Sequence, residues 1–156
     1  MGNKAVNKPY FVWDAELYSV GDATIDEQHQ RLLTVMNHLY LLIHDEGGIA
    51  NITGTMAMMQ ELTQFIVDHF SYEEQRLQES SYPLDSLARH RAEHNGFVEK
   101  VQGFEQRMLD ADPTVLDDML PYLYGDWLIQ HICGTDMDYR AYLQPADPLL
   151  SEILSA

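Results

Sequence analysis

Three turn signals divide the chain into four long segments, each carrying apolar residues at helical spacing. They are Gly47-Gly48, Tyr82-Pro83 and the stretch from Asp110 to Pro113. Glycine tolerates the left-handed backbone that ends a helix, and proline disfavours helix at the residue before it. The first segment runs from Thr24 to about Asp45, with Ile25, Leu32, Leu33, Met36, Leu39 and Ile43 on one face. Thr24 is its expected cap, with Glu27 as capping-box partner. The second runs from Thr53 to about Glu79, the third from Leu84 to Leu109, and the fourth from Thr114 to about Tyr139. Pro121 inside the fourth predicts a kink or a short first piece. Short connections make consecutive helices antiparallel neighbours. The expected fold is therefore all-α, an antiparallel up-down-up-down four-helix bundle.

A chain of 156 residues is expected to form a single domain, with residues 1–22 as an N-terminal arm, 23–142 as the bundle and 143–156 as a short C-terminal tail. The tail carries Leu149, Leu150, Ile153 and Leu154 after two prolines. It is expected to dock on the bundle as a short helix or to serve a protein partner. Nine basic against twenty-five acidic residues give a net charge of −16. That field repels phosphates and anionic lipids, so no nucleic acid and no membrane partner is expected. Cys133 is the only cysteine, which excludes an intrachain disulfide. With no signal-like leader and no apolar run of spanning length, the expectation is a soluble cytoplasmic protein.

The histidines carry the chemistry. His69 and Glu73 are four apart on the second helix, as are His90 and His94 on the third, a spacing that puts both side chains of each pair on one face. His69 and Glu73 lie thirteen and nine residues before Tyr82, and His90 and His94 lie eight and twelve after it. In an antiparallel hairpin similar counts mean similar height. His29, five residues into the first helix, and His131 and Asp136, late in the fourth, belong to the same end of the bundle. All seven groups therefore fall within a slab of about two turns, ~10 Å. Without a ligand they would be a costly cluster of buried polar groups. His131 and Asp136 are five apart, which in a regular helix separates them by ~140°. Gly134 between them predicts a bulge or loosened turn. His38 and His44 are expected on the surface, and Cys133 as a small core residue.

Imidazole and carboxylate without thiolate suit iron, manganese or zinc, and seven ligands exceed one tetrahedral zinc. Oxygen-activating ferritin-like sites use paired Glu-x-x-His motifs, which are absent here. A histidine-rich, more positive site favours reversible binding over oxidation chemistry. One competing reading is a zinc protease, because His90-Arg91-Ala92-Glu93-His94 fits the inverted motif H-x-x-E-H. It leaves His29, His69 and His131 unused.

These residues resemble the hemerythrin family, particularly its bacterial members. The resemblance rests on Trp13, Tyr18-Ser19-Val20-Gly21, Ile25-Asp26-Glu27-Gln28-His29, His69-Phe70 with Glu73-Glu74, Tyr82-Pro83, His90 with His94, Trp127-Leu128, His131-Ile132, Gly134-Thr135-Asp136 and Tyr139. It covers roughly residues 11–142. It implies two iron ions in a non-haem di-iron centre. His90, His94 and His131 would hold one ion and His29 and His69 the other, with Glu73, Asp136 and an oxo or hydroxo group as bridges. It implies dioxygen binding at the open position beside His29 and His69, with Leu32, Phe70, Trp127 and Gly134 as the expected oxygen pocket. The expected role is an oxygen carrier, store or delivery protein rather than an enzyme. An oxygen or redox sensor acting through a partner remains an alternative. So does a di-iron enzyme with peroxidase-like or nitric-oxide-handling activity.

Overall fold

The computed structural model describes residues 11–45 and 52–143. Of the expected tail, residues 143–156, all but Leu143 lies outside them. Of the expected arm, residues 11–22 are described. They hold a single helical turn, α1 (Ala15–Tyr18), whose first amides donate to the Asp14 side chain. Ahead of that turn the arm lies on the first long helix, where Asn37 Oδ1 accepts from the Phe11 amide at 2.9 Å and Asn37 Nδ2 donates to the Phe11 carbonyl at 2.8 Å.

The first long helix, α2, spans Ala23–Asp45. Its cap is Asp22 rather than the expected Thr24, because Asp22 Oδ1 accepts from the amides of Thr24 and Ile25. Aspartate caps as well as threonine and adds a charge that the helix N-terminus favours. Asp22 Oδ2 also accepts from Arg76 Nε at 2.9 Å, which ties the start of α2 to the end of α3 (Ile52–Glu79). Every residue predicted for the inner face of α2 is buried. The third long helix, α4, spans Leu84–Leu109 and follows α3 through the short Ser80–Pro83 turn. Pro83 is well placed there, since a residue that opens a helix needs no intrahelical amide bond.

The fourth segment is not one helix. Its parts are α5 (Val115–Pro121), a π-helical stretch over Tyr122–Ile132, a turn at Cys133 and Gly134, a 3-10 turn over Thr135–Tyr139, and α6 (Arg140–Leu143). Pro121 closes α5, and the wider i→i+5 pattern that follows ends with the Cys133 amide donating to the Leu128 carbonyl at 3.2 Å. No strand is present among the described residues. The four segments pack as a helix bundle, with α3 between α2 and α4 in chain order.

The apolar interior is split in two. A large cluster contains Leu32, Ile66, Phe70, Phe97, Trp127 and Ile132, and a small one contains Val20, Ile25, Leu77, Leu87, Tyr139 and Leu143. Predicted polar residues mark the boundary between the two clusters: His29 lies between Ile25 and Leu32, Glu73 between Phe70 and Leu77, His90 between Leu87 and Phe97, and Asp136 between Ile132 and Tyr139. Among the described residues no helix is long and apolar enough to cross a membrane.

Candidate metal centre

All seven predicted residues meet in that polar layer, and each is at most 4% exposed. Their ligand atoms form two overlapping groups, each spanning no more than 4.8 Å: Glu73, His90, His94, His131 and Asp136, and His29, His69, Glu73 and Asp136. Regular helix brings His69 to Glu73, with Nε2 3.0 Å from Oε2, and places His94 one turn beyond His90. The break in the fourth segment does the rest. With the π-helical stretch ending at Ile132 and a 3-10 turn starting at Thr135, Asp136 swings inward until Oδ1 is 3.0 Å from His131 Nε2. The same carboxylate reaches His90 at 3.3 Å and His29 at 3.2 Å.

This is a poor hydrogen-bonded core and a good ligand set. Glu73 Oε2 and both Asp136 oxygens have no aligned donor among the described residues, a costly state for buried carboxylates. Two pairs of imidazoles, His29 with His69 and His94 with His131, point Nε2 at Nε2 at 3.2 Å. Two ligands each about 2.1 Å from one cation and at right angles stand about 3 Å apart, so these spacings fit atoms that share an ion.

Electrostatics keep the carboxylates ionised. Burial alone would raise the Glu73 carboxyl, but the imidazoles of His69 and His90 hold it well below the ordinary range. Burial and the neighbouring Glu73 oppose the charge on Asp136, yet His131 and His29 hold its pKa down. Burial disfavours a proton on His131, but Asp136, Glu73 and Glu93 outweigh it and push the group up to about 9. Burial wins at His94, whose pKa falls despite Glu74.

Four further residues touch the cluster, and none was singled out from the sequence as part of it. His69 Nδ1 donates to Gln28 Oε1 at 2.8 Å, His94 Nδ1 to Glu74 Oε1 at 2.8 Å, and His131 Nδ1 to Glu93 Oε2 at 2.7 Å. Each neighbours a ligand in sequence, and Gln28 and Glu74 also lie in the stretches that carry the resemblance, but neither signal says which ring each one backs. The contact at Glu93 also disposes of the protease reading, since this carboxylate is committed to His131 on another segment. The fourth is Tyr139, fully buried, whose ring meets His90 edge-on at 5.6 Å. Burial, then Asp136 and Glu73, push its phenol far above the usual range.

Of the expected oxygen pocket, Phe70 stacks on His94 at 3.7 Å and Trp127 on His131 at 4.3 Å, and Leu32 is fully buried one turn beyond His29. Gly134 does not belong with them. It is exposed, and a Cβ there would stand 2.4 Å from the Gln130 carbonyl oxygen. Its lack of a side chain serves the backbone break, not a lining. His38 and His44 are exposed and Cys133 is half-buried.

A family profile described as hemerythrin HHE cation binding domain matches residues 20–143. The bacteriohemerythrin of Clostridium acetobutylicum is 31% identical over 130 residues, 83% of this chain and 98% of that protein. A hemerythrin-like protein of Naegleria gruberi is 31% identical over 133 residues, covering 85% of this chain and 93% of that one. The crystal structure of a wild-type hemerythrin shares the fold, with a TM-score of 0.69 at 23% identity over 87% of this chain and 99% of its own. With its match across most of the bundle and a buried cluster suited to cations, this chain belongs to the hemerythrin HHE cation-binding domain family.

Proposed function

We propose that the chain holds two iron ions among these seven side chains and binds dioxygen reversibly there, as an oxygen carrier, store or delivery protein. The observation that supports this reading most is the overlap of the two ligand groups, which share Glu73 and Asp136. Shared carboxylates suit a pair of ions better than two independent ones. Bound there, ferrous iron would supply an open coordination position and the electrons that reversible dioxygen binding draws on.

The protein's own contribution is positioning and exclusion. His90, His94 and His131 with the two carboxylates offer five donors to one ion. His29 and His69 with the same carboxylates offer four, so the second ion has room for a ligand. Phe70 is stacked on His94 and lies 5.8 Å from the His69 ring, so an apolar face stands beside both groups. Phe70, Trp127 and Leu32 keep bulk water from the layer, which protects a reactive bound gas from proton-assisted loss.

The test is absorption spectroscopy on protein reduced without oxygen and carrying about two irons per chain. A visible band that rises with oxygen and disappears when oxygen is removed is the expected result. Irreversible ferric conversion without that band would overturn reversible binding.

A further inference from the structure

The five imidazoles are not backed alike. His94 and His131 donate from Nδ1 to carboxylates, Glu74 at 2.8 Å and Glu93 at 2.7 Å. His69 donates to the neutral amide oxygen of Gln28. The Nδ1 atoms of His29 and His90 have no partner among the described residues. Sorted by ligand group, the two anionic acceptors fall on one side: His94 and His131 both belong to the five-residue group, while Gln28 supports the four-residue group.

We infer that Glu74 and Glu93 make the three-histidine position the tighter and first-filled of the two metal positions, and that Gln28 leaves the two-histidine position the exchangeable one. The inference rests on reading the cluster as a two-metal site. A carboxylate that accepts from Nδ1 fixes the imidazole tautomer and ring plane and raises the basicity of Nε2. It also brings a negative charge near the cation. An amide oxygen orients the ring equally well and adds no charge. Both glutamates are partly open to solvent, with side chains 24% and 49% exposed, and Arg91 Nε lies 3.2 Å from Glu74 and takes up part of its charge. Each is therefore a moderate contributor, and their sum, with one more donor in the group, sets the asymmetry. For the proposed function the consequence is that metal loss begins at the position that has room for oxygen.

The experiment is a titration of the full chain, stripped by chelator, with Co2+ alone, followed by calorimetry and by the cobalt absorption bands. Two resolved steps are expected. Glu74→Gln and Glu93→Gln, which keep an acceptor and remove the charge, should each weaken the tighter step by about 10- to 100-fold and spare the weaker one. Gln28→Glu should strengthen the weaker step, and His69→Ala should abolish it alone. Two steps of equal affinity in the unaltered chain, or a Glu93→Gln variant that shifts both steps alike, would overturn the inference. Oxygen is not read in this titration. Protein that shows the two-step pattern yet binds no oxygen would refute the carrier reading and leave this one standing. A chain that takes up fewer than two Co2+ would remove both.

Discussion

The α3–α4 hairpin and the fourth segment deliver ligands to the same layer by opposite means. The hairpin uses unbroken helices, and its pairs, His69 with Glu73 and His90 with His94, are four residues apart because that is the spacing at which a helix stacks side chains. The fourth segment needs His131 and Asp136 to converge at a spacing of five. It does so by abandoning α-helix from Tyr122 to Tyr139. The contrast shows that a regular scaffold supplies ligands only at its own period. A ligand off that period requires a local backbone departure, and a residue that permits it.

The largest effect that would break this arrangement is expected from the hairpin's shared carboxylate. Glu73→Ala removes one of the two donors common to both ligand groups and leaves His69 and His90 buried without it. Elemental analysis should find below about one ion per chain, and full loading in this variant would show that Asp136 alone can hold the pair.

Glycine substitutions sharpen the comparison directly. Gly134→Ala drives a Cβ to 2.4 Å from the Gln130 carbonyl, a backbone atom with no freedom to turn aside. The expected cost is about 1–3 kcal/mol in denaturant unfolding, of the size that backbone strain usually carries. In α4, Gly96 is exposed and its added Cβ meets nothing within 4 Å. There Gly96→Ala should stabilise the chain by about 0.5–1 kcal/mol, since alanine is the better helix former and restricts the unfolded chain. Substitutions of the same sign and size at both sites would dissolve the distinction between the two regions.

The smallest effect concerns the loop that launches the fourth segment. The Thr114 amide, then Arg107, hold the Asp112 carboxyl down at about 2. A pKa depressed by folding gives stability that is present above the unfolded value of 3.8 and lost as pH falls through about 2. Asp112→Asn should thus lower the urea midpoint at pH 6, and the gap from the unaltered chain should close as pH approaches 2. A gap that is constant with pH would assign the effect to loop geometry instead of charge.

The difference between the two regions also explains what was readable from residues alone. The hairpin's four ligands and the inner face of α2 follow from helical period, which the order of apolar residues states openly. The fourth segment could be read only as a conflict, a five-residue spacing with Gly134 inside it. The conflict pointed to a break and said nothing of its form. Gly134 was expected to line a gas pocket, because its small size is equally consistent with a path and with a backbone contact. The cap was assigned to Thr24 when Asp22, two residues earlier, has the same capping chemistry. Gln28, Glu74 and Glu93 were hidden for a different reason. Each adjoins a ligand along its own helix but backs a ring from another segment, and the direction of that imidazole's Nδ1 is what picks it out.

The hold of Asn37 on Phe11 has a consequence of its own. The amide grips the main chain of the arm through both its N–H and its carbonyl, so the attachment is blind to which side chain stands at position 11. The two main-chain bonds themselves bar only proline at position 11, because it lacks the amide hydrogen, while the Phe11 ring adds a separate hold by packing on the large core cluster and on Tyr18 at 5.7 Å. Position 37 is not free, because few side chains offer a donor and an acceptor side by side at that reach.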